Sequence, residues 1–563
     1  MALPRPTLDS CDADHRSSNA PVVWPVICVV VLLAVAGPQF IRTPLTNDTA
    51  LFDLQAVMIR DGAVLYRDVL EPNLPGVIWI HTGVRTIFGE SSEAMRIFDL
   101  AVFCAILAAG GCWLVGRGFS RATAGWFCVA GLAFYFSISE WCHCQRDTWM
   151  LLPAMVGLLL RGLRARRWMQ SEEQPAGVRN VYASGVVEGV CWAAGVWIKP
   201  YVAIPAAAAW CVSHLFVRRK REFLADTAGL LTGGLLVGGV GVLWMIRTGC
   251  WPAFLESARE WNPRYFEAGR EHWTKRRFIT MCVRLWPWSF LHVFAVPTAI
   301  VTLLRYLRSR TENATFATRS LFAALLCVFY LGWVAQAFFL QHLFDYVHAP
   351  AILLSVLLLV AAIAGTKRRM LRVGGIGVFA LLAAAASPIF STARLGLWQE
   401  CLAGPASPRL QNRLTHFSNP DREDMQRVAE FLRREGVADR DVCLFNSDFV
   451  SMYQMLNLRP PTKFIYLYES ATFFPDRSAE LERALDESGH RYVVTDLVSC
   501  GMPQAEAEAI GPNGPLAPPP AYPTDRDNSY PWSHPVVYRS GTYLVHRVDG
   551  SAGRLLAGPL RTK

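Results

Sequence analysis

The residues with the clearest capacity for chemistry begin at Asp48, in the run Thr46-Asn47-Asp48-Thr49-Ala50-Leu51-Phe52-Asp53. Leu51, Leu54 and Met58, with Ala56 and Ile59, then recur with helical period, so Asp48 opens an amphipathic helix lying at a membrane interface. The helix N-terminus favours the charge of a carboxylate there, while apolar surroundings disfavour it. Such a group can act as general base toward a hydroxyl, a role worth about 10²–10⁴ in rate. It can equally be a plain N-cap. Farther along the chain stand Gln145-Arg146-Asp147, Lys199 before Pro200-Tyr201, Gln341-His342, and Asp345-Tyr346-Val347-His348-Ala349-Pro350. Arg146 can grip a phosphate bidentately and Lys199 as a point charge, while His342 or His348 can donate a proton or hydrogen bond. The simpler alternatives pair Arg146 with Asp147 or Glu140 and let Lys199 snorkel to an interface.

Other groups carry less. Cys142-His143-Cys144 lacks further ligands in sequence and fits a disulfide or free thiols better than a metal. Trp251, Trp261 and Trp273 read as interfacial anchors. Asp448 and Asp496 each follow a strand-like run, where capping explains them.

What must position these residues is a membrane domain. Of 563 residues, 52% are hydrophobic and only 18% charged, against about a quarter charged in soluble proteins. Mean hydropathy is +0.25. This excludes a disordered or fibrous chain and argues against a single soluble enzyme. The 19 Trp and 31 Phe suit many membrane–water boundaries. Most of the 15 Cys fall in apolar runs, as small hydrophobes. Eleven apolar stretches approach the roughly 20 residues that span hydrocarbon as a helix: 22–41, 97–116, 122–139, 148–163, 181–198, 200–217, 227–246, 280–304, 320–340, 346–365 and 371–390. Lys199-Pro200 either divides two spans or kinks one. The first apolar stretch follows a polar leader and lacks a small-residue cleavage site, so it is expected to stay as an anchor.

Basic residues predict the orientation. Clusters at Arg161, Arg164, Arg166 and Arg167, at Arg218, Arg219, Lys220 and Arg221, at Arg305, Arg308 and Arg310, and at Lys367, Arg368, Arg369 and Arg372 all fall on one side if the N-terminus is cytoplasmic. The formal net charge of +10 is then a topological signal, and no nucleic-acid partner is expected. Lys275, Arg276 and Arg277 are the exception, on the opposite side. The expected layout is a cytoplasmic tail at 1–21, a transmembrane domain at 22–391 with its first extracytoplasmic loop at 42–96, and an extracytoplasmic α/β domain at 392–563. In that last part Asn419-Pro420-Asp421 caps a helix carrying Met425, Val428, Phe431 and Leu432. Strand-like runs follow at 442–445, 464–467 and 492–495, with a helical pattern at 479–485, a Pro-rich stretch at 511–523 and a final hairpin at 536–538 and 543–545.

Within the first loop lie Gly62, Tyr66-Arg67-Asp68, Glu71-Pro72-Asn73-Leu74-Pro75-Gly76 and, opening the second span, Arg96. Taken in order after Asp48 and Ala50, these resemble the first extracytoplasmic loop of the GT-C superfamily of integral-membrane glycosyltransferases. The nearest pattern is the bacterial branch related to protein mannosyltransferases and aminoarabinose transferases. In that pattern an Asp begins a loop helix, a Gly-x-x-Tyr turn and a Pro-Pro-Gly-like turn follow, and an Arg opens the second span. Two departures stand out. Thr49 replaces the acidic residue usual after the first Asp, and Asn73-Leu74 lacks the basic residue that often precedes the Pro-Pro turn.

The resemblance implies a polytopic α-helical GT-C-like protein of about eleven transmembrane helices with a small C-terminal α/β extracytoplasmic domain. It implies transfer of a sugar from a polyprenyl-phosphate donor to an acceptor hydroxyl, with inversion, at the outer face of a bacterial inner membrane. Asp48 would be the base. Arg146, Lys199, His342 and His348 would hold the donor phosphate, supported by Arg96, Gln145, Asp147, Tyr201 and Tyr346. The loop helix would cover a groove open to lipid. No metal ligand set is assigned, and a divalent cation is left open. The alternatives are a transporter or flippase, or a non-catalytic polyprenyl-lipid-binding membrane protein. Sugar and acceptor are not specified by the sequence.

Overall fold

A computed structural model describes residues 22–170, 177–215, 220–271, 273–308, 314–364, 369–416, 420–509 and 530–548. The tail at 1–21, the stretch at 511–523, Asn419 and the basic residues Arg218, Arg219, Arg310, Lys367 and Arg368 lie outside these.

Each apolar stretch is helical. The first half supplies α1 (Val23–Arg42), the loop helices α2 (Asn47–Arg60) and α3 (Gly76–Phe88), then α4 (Ser92–Gly116), α5 (Arg121–Ser137), α6 (Leu151–Gln170), α7 (Val178–Ile198), α8 (Ala203–His214) and α9 (Lys220–Arg247). A long loop carries α10 (Trp251–Glu256), a π-turn at Ser257–Trp261 and α11 (Asn262–Glu271). Then come α12 (Lys275–Arg284), α13 (Leu291–Arg308), α14 (Ala314–Phe339), α15 (Asp345–Ala364) and α16 (Arg369–Ala385). Among the described residues seven helices are long and apolar enough to cross a membrane, within α1, α4, α7, α9, α13, α14 and α15. The protein is therefore a multi-pass membrane protein. The other four are shorter or more charged: α5 and α16 have 17 residues and α8 has 12, while α6 carries four arginines.

The expected span at 280–304 is corrected. Pro287, which has no N–H to give and restricts Trp286 before it, divides the stretch. The amphipathic α12 ends at Arg284, a 3₁₀ turn follows at Trp288–Phe290, and α13 begins at Leu291.

Two of the basic residues used for orientation are not exposed charge. Arg161 donates from Nε to Glu188 at 2.9 Å and from Nη1 to Asp226 at 2.6 Å, and Arg164 bonds both carboxylates as well. All four side chains are buried, which charges tolerate only when paired.

The first loop is more structured than its turn motifs suggest. Besides α2 it forms α3, whose run Val77-Ile78-Trp79-Ile80 showed no polar alternation to mark it as a surface helix. Nor does α2 lie on lipid, as its amphipathic pattern suggested: nine of its 14 residues are buried, on both sides. Ala50, Leu51, Leu54 and Met58 share a core with Met425, Val428, Leu432, Val442 and Tyr453 of the C-terminal domain. Phe52 and Ala56 turn the other way, onto Val77, Ile78, Met95 and Trp149. The helix is the layer between two bodies.

In the C-terminal domain the Asp421 side chain accepts from the backbone N–H of Glu423 and Asp424 at 2.9 Å each, capping α17 (Arg422–Arg434). Four strands, β1 (Val442–Leu444), β2 (Tyr492–Asp496), β3 (Val536–Ser540) and β4 (Tyr543–Arg547), form one sheet in the order β1-β2-β4-β3. The β1–β2 pair is parallel, and the other two pairs are antiparallel. The strand expected at 464–467 is absent; that run is a turn leading into a helix at Leu467–Phe473. Its apolar side chains instead form a buried cluster, in which Phe464 and Phe474 pack on Trp261 with ring centroids 5.6 and 4.9 Å apart. Trp261, 1% exposed, is thus a core residue of the junction and not the interfacial anchor the sequence suggested. Trp273 remains exposed.

Candidate functional site

Four separate pieces of chain meet beside α2. Arg96, fully buried at the start of α4, donates to the backbone oxygens of Thr43 at 3.0 Å and Pro44 at 2.5 Å. It thereby fixes the approach to α2, and its guanidinium also lies 5.4 Å over the Phe40 ring. Glu71 is buried below the loop's second turn. It accepts from Gln55 Nε2 and Asn73 N at 2.9 Å each, while its own carbonyl accepts from Ser257 Oγ at 3.0 Å. Asn262 Nδ2 holds the Pro72 carbonyl at 3.0 Å. The turn Pro72-Asn73-Leu74 is therefore clamped between the first loop and the long loop.

A cavity of about 280 Å³ opens against that turn. Its wall includes Arg146, Lys199, Tyr201, Tyr265, His342 and Tyr346. Asp147, wholly buried, binds Lys199 Nζ at 2.7 Å and not the Arg146 beside it in sequence. Glu140, the other proposed partner of Arg146, instead accepts from the backbone of His416 at 2.5 Å. The Arg146 side chain makes no hydrogen bond to any described residue; its guanidinium rests 5.5 Å over the Phe52 ring. The buried carboxylates of Asp147 and Glu71 stabilise its charge without engaging its donors, which leaves the fork available. Lys199 Nζ lies 5.9 Å from the Tyr201 ring centroid. His342 stands between Tyr265 and Phe344, at ring distances of 4.9 and 5.3 Å.

Asp48 sits at the edge of this group, half-buried, and accepts a hydrogen bond from Tyr346. Its carboxyl pKa is pushed up to about 6. Burial is the largest cause, Arg146 and the Tyr346 hydroxyl oppose it, and the negative charges of Glu71 and Asp147 add to it. Of the two influences expected at this helix start, desolvation prevails. Glu71 is raised too, by burial against Arg146 and its hydrogen bonds. Asp53, one turn on from Asp48, shows the opposite outcome. Burial would raise it, but His81 at 3.0 Å and Arg85 at 2.6 Å hold its carboxyl below the usual range. Asp53 is a structural ion pair, whereas Asp48, outside the cavity lining, feels the charges of Arg146 and Lys199 and is tied to the wall through Tyr346.

Not every residue singled out in sequence gathers here. Gln145 is buried and donates from Nε2 to the Trp141 carbonyl at 3.1 Å, at the start of the short helical turn that carries Arg146. His348 faces a different groove, packed at 4.4 Å from the Phe338 ring. Cys142 and Cys144 are buried free thiols. Among the described residues no group of three or more His, Cys, Asp or Glu is placed to hold a metal. Residues the sequence did not single out are Tyr265, Phe52 and, from the C-terminal domain, Tyr466, whose hydroxyl donates to the Asn47 carbonyl at 3.2 Å. Nothing in the spacing of these aromatics distinguishes them from core.

No protein-family model matches the chain, and no curated protein matches it in sequence. Solved structures do resemble it. Apo ArnT from Cupriavidus metallidurans has a TM-score of 0.50 at 13% identity, over 96% of this chain and 100% of that one. ArnT bound to undecaprenyl phosphate has a TM-score of 0.45 at 14% identity, with 96% and 100% covered. The apo oligosaccharyltransferase of Archaeoglobus fulgidus has a TM-score of 0.45 at 11% identity, over 84% of this chain and 70% of that one. The likeness to apo ArnT shows a shared fold that runs through nearly the whole chain.

Proposed function

We propose that this protein is a glycosyltransferase that moves a sugar from a polyprenyl-phosphate donor to an acceptor hydroxyl. The observation that carries the reading is the cavity in which Arg146, its side chain free of hydrogen-bonding partners among the described residues, and Lys199 line one wall while Tyr346 bridges to Asp48. The donor's phosphate is held by Arg146 and Lys199, with His342 in the same cavity lining. Asp48 takes the proton of the acceptor hydroxyl as its oxygen attacks the anomeric carbon. The bond from that carbon to the phosphate oxygen breaks, and the polyprenyl phosphate leaves with the extra negative charge that the two cations stabilise. Attack opposite the leaving group inverts the configuration. A base with a pKa near 6 is mostly ionised at neutral pH yet still basic enough to accept a proton.

The GT-C fold supports a membrane-embedded transferase of this kind. The site lies at helix ends and loops, whereas transporters commonly build theirs on broken helices at the bilayer midplane. We place the N-terminus in the cytoplasm and the cavity and C-terminal domain outside, in a bacterial inner membrane. The test is transfer from radiolabelled polyprenyl-phosphate sugars in membranes, comparing wild type with Asp48→Asn at matched expression. A drop of about a hundredfold fits the base. Equal activity removes Asp48 from the mechanism, and no transfer by wild type across a broad donor and acceptor panel overturns the reading.

A further inference from the structure

The basic triplet Lys275, Arg276 and Arg277, which breaks the charge pattern of the other loops, opens α12. Lys275 and Arg276 are exposed and Arg277 half-buried. The same helix exposes Phe278, Ile279 and Val283, and exposed apolar residues continue through Trp286 to Phe290 and Val293. A groove of about 500 Å³ runs behind this surface, walled by Met281, Cys282, Phe290 and Phe338. Its lining is apolar except for Ser289 and two imidazoles. His348 is 1% exposed, and neither of its ring nitrogens has a hydrogen-bond partner among the described residues. His292 bonds the Tyr330 hydroxyl through Nδ1 at 2.7 Å, but its Nε2 has no partner among the described residues.

Buried imidazole nitrogens left unmatched are costly, so the groove's occupant should bring them a hydrogen-bonding group. We propose that α12 and the groove bind an anionic diacyl phospholipid. Its headgroup phosphate meets Lys275 and Arg276, one acyl chain fills the groove, and an ester carbonyl accepts from His348 or His292. An isoprenoid chain has no such acceptor, which sets this lipid apart from the proposed donor. The site adjoins the reaction cavity through Arg277, which lies 5.1 Å over the Phe344 ring. Phe344 stacks on Tyr346 at 5.5 Å, and both line that cavity. A bound lipid therefore braces the cavity wall.

The test reads lipid binding and does not depend on the transferase reading. Full-length protein in detergent is incubated with equal amounts of phosphatidylglycerol and phosphatidylcholine, and retained lipid is measured by native mass spectrometry. Two surface cations favour the anionic lipid by about tenfold or more. Lys275→Gln with Arg276→Gln should bring the ratio close to one. His348→Phe should reduce retention of the ester lipid, and ether-linked phosphatidylglycerol should bind wild type more weakly than the ester form. Equal retention of the two headgroups by wild type overturns the proposal, as does an unchanged preference in the double variant. Displacement of phosphatidylglycerol by polyprenyl phosphate would reassign the groove to the donor and also overturn it.

Discussion

A methyl group on Gly76 would lie 2.3 Å from the carbonyl oxygen of Trp197. The first helical residue of α3 thus presses against the backbone that ends α7, two residues before Lys199. The Pro75-Gly76 turn of the first loop and the cation of a distant helix end are set against each other by the absence of one carbon atom.

Gly76→Ala should therefore act on the site without altering any polar group. Because the obstacle is backbone, the helix end must shift, and overpacking of this kind costs about 1–3 kcal/mol. The expected result is a lowered Tm together with a raised KM for the donor. An unchanged KM in a folded variant would mean that the contact does not position Lys199.

The two cations should respond differently to removal. Lys199→Ala leaves Asp147 buried and unpaired, at a cost of about 3–5 kcal/mol. Adding Asp147→Asn should restore thermal stability but not donor use. Arg146→Ala breaks no side-chain hydrogen bond to a described residue but removes the positive charge that compensates Asp48 and Glu71, so Tm should fall less than for Lys199→Ala while donor KM rises about 10- to 100-fold. Thermal-shift curves beside donor kinetics separate the two cases.

Asp48 must be ionised to accept a proton, so kcat/KM should fall as pH drops through about 6. The negative charge of Glu71 raises that pKa, so Glu71→Gln should move the acidic limb to lower pH. A wild-type profile flat across about pH 5–7 would show that another group is the base.

Orientation is tested by reporter fusions. Fusions after residues near 170, 220 and 370 should report a cytoplasmic location, and one near 400 an outside location. A cytoplasmic C-terminal domain would put the cavity on the wrong side for the proposed reaction.

Much of this architecture is written locally. Apolar runs marked every membrane helix, and the Asp421 cap and the strands at 442 and 492 carried their usual local signals. Asp48, Arg146, Lys199 and His342 stood out because charge near a membrane is costly. The errors share a different cause. Phe464 looked like a strand residue and Trp261 like a membrane anchor because side chains that bury against each other across two hundred residues leave no local period. The amphipathic pattern of α2 revealed one apolar face but could not say that protein, not lipid, covers it. Likewise Asp147 was a neighbour of Arg146 in sequence and a partner of Lys199 in space.

The core shared by α2 and the C-terminal domain also has a consequence for biogenesis. Leu51, Leu54 and Met58 leave the ribosome long before Met425, Val428 and Leu432, which cover them. At about 5–20 residues per second the wait is roughly 20–75 s. During that time the helix carrying the catalytic candidate has an uncovered apolar face. A truncated chain ending before α17 would keep its anchors and be inserted, yet never complete the seat of Asp48. Completion of the Asp48 seat thus requires synthesis to have passed Leu432.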